Sequence, residues 1–220
     1  MLADESTPTE STTPWTDALC RAAEKYIPCE GQVVDLGAGR HASVSRRLLQ
    51  ISNSIHIVAV EPFEAVDAPH GVEIKKGDIS CLDRKSADLI LFNPPSTPTR
   101  FLEPSDFRFH QFNGGQNGND VLRGVCQQLE MYLTDQGCSL IICPSYFPPP
   151  SFSNLKISIE NIAYECPDHM LRRAPTKLGE HNQALRWISA QSAENRTHWQ
   201  GLGVKETQDR IAIIVLRVAA

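Results

Sequence analysis

Short apolar runs alternate with segments of helical spacing along most of this chain. Strands are predicted at residues 32–37, 55–61, 72–79, 87–93, 138–144, 157–165 and 210–218. Most of these runs are too continuously apolar for a strand with one wet face, which is typical of a parallel sheet covered on both faces. Strand–helix alternation favours right-handed βαβ units. The pattern therefore predicts an α/β fold with a doubly wound, Rossmann-like sheet of about seven strands, mostly parallel with an antiparallel last strand.

Helical spacing marks residues 15–26, 42–51 and 120–133. In the last of these, apolar side chains share one face, with Asn119 or Asp120 as the N-cap. These side chains are Val121, Leu122, Val125, Leu129 and Leu133. Residues 166–209, between the last two strands, are polar and long for a plain connection, so they predict a partly helical insertion near a site.

Composition limits the class of protein. The 220 residues fit one domain with an ordinary core. Residues 1–14 are polar and rich in Pro, Thr and Ser, which predicts a disordered lead-in without signal-peptide character, and residues 15–220 are expected to form the single domain. A net charge of -5 gives no general attraction to nucleic acid or anionic membranes. No stretch approaches the roughly 20 apolar residues of a membrane span.

The seven cysteines are scattered and include no CxxC pair. This usage favours reduced thiols in a cytoplasmic protein. No Cys/His cluster has ligand spacing, so no metal is expected.

The first candidate site is "DLGAGRHA", residues 35–42, at the end of the first predicted strand. Glycines there let the backbone turn tightly and lie close to a ligand. Glu61 ends the second strand, where an acid can accept hydrogen bonds from both ribose hydroxyls of a nucleoside cofactor. Gly37-x-Gly39-x-x-Ala42 also meets the relaxed dinucleotide fingerprint, so the loop alone leaves the cofactor open, and a tight turn without a ligand is the structural alternative.

Asp78 closes the third predicted strand at the same edge of the sheet. It could accept a hydrogen bond from an adenine amino group while Ile79 covers the ring. A capping or surface aspartate is the alternative, but the carboxyl ends of parallel strands are where such sheets bind ligands.

The fourth predicted strand ends in Asn93-Pro94-Pro95-Ser96. A planar nitrogen is a poor nucleophile because its lone pair is delocalised. The Asn93 side-chain oxygen and the Pro94 carbonyl could accept from its two N–H bonds and point the lone pair at an electrophile, and this stabilisation exists chiefly in the transition state. Proline fixes φ and removes a competing N–H. A plain strand-ending Pro-Pro turn is the alternative.

Together these motifs resemble a class I S-adenosylmethionine-dependent methyltransferase: D-x-G-x-G after the first strand, acids after the second and third, and N-P-P after the fourth. Within that superfamily, N-P-P belongs to enzymes that methylate planar nitrogens, either adenine N6 or the glutamine amide. The stretch from Asn93 to Cys143, with Gly114, Gly115 and Gly118, is similar to the HemK-like protein-glutamine methyltransferases. The likeness covers roughly residues 30–145.

The resemblance implies S-adenosyl-L-methionine as the cofactor and a role for each matching residue. Asp35, Gly37 and Gly39 would line its methionine end. Glu61 would hold the ribose, and Asp78 with Ile79 the adenine. Asn93 and Pro94 would hold the acceptor nitrogen as the catalytic pair, with Pro95 and Ser96 beside the substrate.

Three departures from the family pattern bear on the substrate. Ser96 replaces the aromatic residue that normally stacks on a flat acceptor, and His41 replaces a small residue in the glycine loop. Only about thirty residues precede the first strand, which leaves no room for the recognition domain of bacterial members. Substrate selection would then fall to the tail, to the insertion or to a partner subunit.

In the insertion, Arg172 and Trp187 are the candidate substrate-binding residues, with Arg173, Arg186, Arg196 and Trp199 as further members of a lid over an anionic or aromatic group. A solvated face with both tryptophans in the core is the alternative. His110, His169 and His181 are expected at the surface.

The prediction is an S-adenosylmethionine-dependent N-methyltransferase that acts on an amide or amino nitrogen of a small molecule or a protein side chain. Nucleic-acid adenine methylation is less favoured, and it predicts binding that weakens steeply with salt. An NAD-dependent oxidoreductase would leave N-P-P without a purpose. A non-catalytic cofactor-binding subunit would explain Ser96 and His41.

Overall fold

The structure is a computed structural model that describes residues 14–150, 155–164, 171–172, 174–204 and 210–218. The disordered lead-in predicted for residues 1–14 therefore lies almost entirely outside the described residues. The strands are β1 (Gly31–Leu36), β2 (Ile55–Glu61), β3 (Val72–Lys76), β4 (Ala87–Phe92), β5 (Leu133–Pro144), β6 (Leu155–Tyr164) and β7 (Arg210–Val218). The helices are α1 (Pro14–Ala23), α2 (Ser43–Ile51), α3 (Phe109–Phe112), α4 (Asp120–Cys126), α5 (Leu129–Tyr132) and α6 (His181–Gly201).

The strands form one sheet in the order β3-β2-β1-β4-β5-β7-β6. The first five of these lie parallel to one another, and β7 is antiparallel to both of its neighbours. The predicted α/β class with a parallel, Rossmann-like sheet is confirmed. The chain leaves β1 towards β2 and β3 and later returns beside β1 as β4, so the strand order reverses between β1 and β4.

Neighbouring residues of the central strands serve two different cores, as period-two alternation requires. In β1, Val33 packs with α1 and α2, whereas Val34 packs with α4, α5 and the end of α6. Trp199 of α6 is fully buried in the second of these cores. None of the helices in the described part of the chain has the length and apolar character needed to cross a membrane.

The single helix predicted over residues 120–133 is wrong. Its ladder breaks after α4, where Gln128 donates to Val125 and Met131 to Gln128 in tighter i→i−3 bonds. Leu133 is the first residue of β5 and pairs with Ala87 of β4. The tertiary pairing with β4 overrides the local helical spacing, and Val121 of the predicted apolar face is 37% exposed.

The third strand is shorter than predicted and ends at Lys76 rather than at residue 79. Gly77 follows with φ +145° and redirects the chain into a short 3₁₀ turn at Ile79–Cys81. A residue with a side chain rarely adopts that backbone conformation, so the glycine ends the strand.

Candidate functional site

The ends of three strands meet at one level along the carboxyl edge of the sheet. Leu36 of β1 pairs with Val60 of β2 on one side and with Phe92 of β4 on the other. The next residues, Gly37, Glu61 and Asn93, therefore lie side by side at the edge. The crevice between β1 and β4 is the point where the strand order reverses, and open α/β sheets bind ligands at such a point.

The glycine loop turns tightly against β2. The backbone N–H groups of Gly37 and Ala38 both donate to the Val60 carbonyl, at 2.8 and 3.1 Å. Gly37 and Gly39 have φ of +70° and +65°, which a residue with a side chain seldom adopts. A Cβ built on Gly39 would meet no atom within 4 Å, so this side of the loop is open.

Glu61 is buried, with 6% of its surface exposed, and its carboxylate is already hydrogen-bonded within the protein. Oε2 accepts from the Gly39 N–H at 2.9 Å. Oε1 accepts from the Phe63 N–H at 2.9 Å and from the Glu64 N–H at 3.3 Å. The predicted ribose ligand thus lies at the predicted edge, where it also fastens the glycine loop to the start of the β2–β3 connection.

Asp35 is buried at the end of β1 and connects that strand to α2. Its Oδ2 accepts from the Ser45 N–H at 2.9 Å and from the Ser45 hydroxyl at 2.7 Å. Ala42, the N-cap of α2, offers no capping side chain, so Asp35 satisfies a backbone donor of the first turn from another element. Burial raises the pKa of Asp35 to about 6, the Ser45 hydrogen bonds oppose that rise, and the charge of Glu61 adds to it.

Asp78 and Ile79 follow β3 but face different surroundings. Asp78 is exposed and caps the 3₁₀ turn, because its Oδ1 accepts from the Ser80 N–H at 2.9 Å and from the Ser80 hydroxyl at 2.6 Å. These hydrogen bonds lower the pKa of Asp78. Ile79 is 1% exposed and packs in the core that contains Val60 and Trp199. The Ile79 side chain thus lies in the hydrophobic core, and its contact with an adenine stays a prediction.

The Asn93-Pro94 corner follows β4 on the other side of the crevice. Asn93 is half-buried and Pro94 is buried. Within the described part of the chain, no group hydrogen-bonds to the Asn93 carboxamide or to the Pro94 carbonyl. The two predicted acceptors therefore keep their hydrogen-bonding capacity.

The residues just after this corner are, by contrast, heavily bonded to the glycine-containing segment 112–118. Thr97 donates its N–H to the Phe112 carbonyl at 2.9 Å and accepts from the Gly114 N–H at 3.0 Å. Thr99 donates its N–H to the Gly115 carbonyl at 2.9 Å. A Cβ on Gly118 would lie 2.8 Å from the Ser96 carbonyl oxygen, so glycine is required for this close packing.

Ser96 is buried and contacts an aromatic cluster. The Tyr146 hydroxyl lies 3.2 Å from the Ser96 hydroxyl and 3.3 Å from its carbonyl oxygen. Sequence reasoning missed Tyr146, which follows β5 in the stretch "PSYF". Further members of the cluster are Phe101, Phe147, Leu171, Ala184, Ile188 and the half-buried Trp187.

The structure brings Trp187 to the site region and leaves Arg172 at the surface. The ring of Trp187 lies 5.9 Å from that of Tyr146, which in turn contacts Ser96. Trp199, the second tryptophan of the predicted lid, belongs to the main core and donates its Nε1–H to the Phe147 carbonyl at 2.7 Å. Arg172, Arg186 and Arg196 are exposed, and Arg173 lies outside the described residues.

Arg100 is a second residue that sequence reasoning missed. Its guanidinium carbon lies 4.7 Å from the centre of the Phe101 ring and 5.3 Å from that of Trp187. The "TRF" stretch, a cation beside an aromatic residue seven positions after Asn93, is the sequence signal that could have indicated it.

Two remaining expectations concern histidines. His41 is exposed, and its carbonyl accepts from Arg46 Nε at 2.8 Å. His110 is exposed, as predicted, and stacks on Phe63 with ring centres 4.5 Å apart. The described residues contain no group of three or more His, Cys, Asp or Glu side chains that could hold a metal ion.

No protein-family model matches the chain, and no curated protein matches it. It is similar to a candidate S-adenosyl-L-methionine-dependent methyltransferase from Methanococcus maripaludis, with 14% identity over 94% of this chain and 86% of that chain and a TM-score of 0.46. It is also similar to precorrin-6y C5,15-methyltransferase from Geobacter metallireducens, with 9% identity over 92% of this chain and 87% of that chain and a TM-score of 0.46. A third similar structure is coclaurine N-methyltransferase bound to N-methylheliamine and SAH, with 14% identity over 91% of this chain and 70% of that chain and a TM-score of 0.45. At these levels of identity and TM-score the likeness decides nothing about activity.

Proposed function

We propose that this protein is an S-adenosylmethionine-dependent N-methyltransferase of the HemK-like, N-P-P type. Its acceptor would be an amide or amino nitrogen of a small molecule or of a protein side chain such as glutamine. One observation carries the proposal. Among the described residues, Asn93 Oδ1 and the Pro94 carbonyl have no hydrogen-bond partner, and they follow β4 beside the open glycine loop that follows β1.

The residues around the crevice fit a nucleoside cofactor. The open side of Gly39 lets a ligand approach the backbone, and Glu61 offers a carboxylate to ribose hydroxyls at the end of β2. Asp78 lies at the same edge for an adenine amino group. When bound, S-adenosylmethionine would supply a methyl group on a sulfonium, which is an electrophile. Asp35 supports this site from beneath, because it positions the first turn of α2.

The corner would act on the acceptor nitrogen. Asn93 Oδ1 and the Pro94 carbonyl would each accept one N–H, which draws the nitrogen lone pair out of conjugation and orients it into the crevice. The hydrogen bonds of Thr97 and Thr99 to residues 112–115 hold the corner in place before the substrate arrives. Acceptors that are fixed in advance cost little reorganisation during the reaction, so their effect appears mainly in the rate. No strong base is needed, because the nitrogen loses its proton only after it has become cationic.

Asn93→Ala tests this role. Methyl transfer should fall by about 100-fold or more, the scale expected for loss of one preorganised partner, while cofactor affinity should stay within a few-fold. Transfer is measured with radiolabelled S-adenosylmethionine and size-fractionated extract, and affinity by calorimetry. Asn182→Ala, at an exposed position of α6, is the matched control. Unchanged turnover in Asn93→Ala would reject the assignment.

The distribution of label also separates the alternatives. Label in protein or in small molecules supports the proposed acceptor class. Label in nucleic acid, with binding that weakens steeply as salt is added, would point instead to adenine methylation. Cofactor binding without any labelled product would favour a non-catalytic subunit that serves a partner.

A further inference from the structure

Arg100 is an exposed cation on the β4–β5 side of the crevice. The cofactor residues of the proposed site lie at or just after the ends of β1, β2 and β3, which lie together on one side of the strand reversal. The acceptor side is therefore the side of β4 and β5. Arg100 belongs to the 3₁₀ turn Thr99–Phe101, which follows the corner closely after β4.

The Arg100 guanidinium is held by ring contacts. It lies over Phe101 at 4.7 Å and over Trp187 at 5.3 Å. Contact with an aromatic face orients a guanidinium through cation–π attraction and leaves its N–H groups free for a planar anion. The rings are themselves fixed, since Phe101 is buried and Trp187 packs against Tyr146 and Phe147.

The charge of Arg100 has no counter-ion among the described residues. Glu103, the nearest acid along the chain, uses its Oε1 to accept from the Ser105 N–H and hydroxyl. Two other arginines of the described region do have partners: Arg46 pairs with Asp67, and Arg108 with Asp106. An oriented but unpaired guanidinium is the arrangement expected of a group that binds a carboxylate or a phosphate.

Resting on the proposed function, we propose that Arg100 binds an anionic group of the methyl acceptor. The acceptor class is then an amide or amine that carries a carboxylate or a phosphate. Ser96, Tyr146 and Trp187 form the contact path from the Asn93 corner to Arg100. A substrate that reaches from the Asn93 corner to Arg100 would be selected by its charge at one end and by its nitrogen at the other.

Direct binding tests the site without requiring activity. Benzoate and phenyl phosphate serve as the two anionic probes and benzamide as the neutral one, with dissociation constants measured by calorimetry or by ligand-detected NMR. At least one anion should bind the wild type, and Arg100→Gln should weaken it by about tenfold or more, the scale of a charge-assisted hydrogen bond. The affinity of Arg100→Lys for the anion should lie between those of the wild type and Arg100→Gln, because lysine keeps the positive charge but lacks the planar guanidinium.

Arg21→Gln, at an exposed position of α1, is the control and should bind the probes like the wild type. Comparison of benzoate with phenyl phosphate distinguishes a carboxylate site from a phosphate site. Equal affinity of the wild type and Arg100→Gln for both anions would overturn the proposal, as would a failure of both anions to bind the wild type in the millimolar range.

The extract assay supplies the second readout. The labelled product of the wild type should carry a carboxylate or a phosphate, identified by mass spectrometry, and Arg100→Gln should raise KM with little change in kcat. A labelled product without an anionic group would overturn the proposal. If the anions bind through Arg100 but no product is labelled, the anion site stands and the proposed methyl transfer fails.

Discussion

Alanine at Gly118 should be strongly destabilising, because this glycine combines a left-handed backbone with three close neighbours. Its φ is +83°, and it is buried. A Cβ there would lie 2.8 Å from the Ser96 carbonyl oxygen, 2.9 Å from Phe147 Cζ and 3.0 Å from Pro98 Cδ. The Ser96 carbonyl oxygen is a backbone atom and Pro98 Cδ belongs to a ring. Neither atom can move away as the end of a flexible side chain could.

The magnitude follows from two terms. A left-handed conformation costs a residue with a Cβ about 1–2 kcal/mol. Overpacking into a rigid neighbourhood adds about 1–3 kcal/mol. We therefore expect Gly118→Ala to lose about 2–5 kcal/mol, a large part of the roughly 5–15 kcal/mol that stabilises an ordinary domain.

Two other glycines separate these terms. Gly39 has φ +65° and no atom within 4 Å of an added Cβ, so Gly39→Ala should lose only the backbone term of about 1–2 kcal/mol. Gly124 lies inside α4 with open space around it, so Gly124→Ala should gain about 0.5–1 kcal/mol from helix propensity. The three variants are compared by urea unfolding at one temperature and pH.

The packing argument is refuted if Gly118→Ala unfolds at the same urea midpoint as Gly39→Ala. The same variants also examine the support of the proposed catalytic corner. A shift of Ser96 and Pro98 should lower the proposed methyl transfer in Gly118→Ala, whereas Gly124→Ala should transfer at the wild-type rate.

The remaining predictions concern stability. Burial raises the pKa of Asp35 from an ordinary 3.8 to about 6 in the folded chain, so its contribution is fully present below about pH 4 and is lost as pH rises through about 6. Between about pH 3 and about pH 8 the wild type should lose about 3 kcal/mol relative to Asp35→Asn in urea unfolding, and parallel pH profiles of the two proteins would contradict the assigned pKa. Trp199→Phe removes a fully buried indole and leaves the Phe147 carbonyl without its donor, which should cost about 3 kcal/mol in chemical unfolding. Trp187→Phe, at a half-buried position, should cost less than about 1.5 kcal/mol, and a reversed order of the two costs would show that the core is misassigned.

The strands of the sheet were accessible to sequence reasoning because their signal is local. The runs that became β2 and β7 were predicted to the residue, since both are mostly apolar. The same reasoning failed over residues 120–133. The helical spacing continues to Leu133, but Leu133 pairs with Ala87 of β4 and begins β5. Pairing with a distant strand has no counterpart in local periodicity.

The candidate site divides in a similar way. Glycines, acids and N-P-P at strand ends could be found from sequence because a parallel sheet brings its carboxyl ends to one edge. The hydrogen bond that Ser45 donates to Asp35 could not be predicted from sequence, because it depends on the angle at which α2 leaves the glycine loop. Tyr146, Trp187 and Arg100 come from three separate segments, and only the packing of α6 on the β4–β5 side brings them together.

The hydrogen bonds of Glu61 set a condition on how any nucleoside can use it. A carboxylate offers about four lone-pair sites, and backbone N–H groups of Gly39, Phe63 and Glu64 occupy three. One ribose hydroxyl can be added without a change in the protein. A second must displace an existing donor, and the bond from Gly39 is the one that belongs to the loop facing the crevice. Engagement of both hydroxyls therefore requires one of these three backbone donors to release Glu61, and release by Gly39 would couple the binding of a nucleoside at β2 to a movement of the β1 loop.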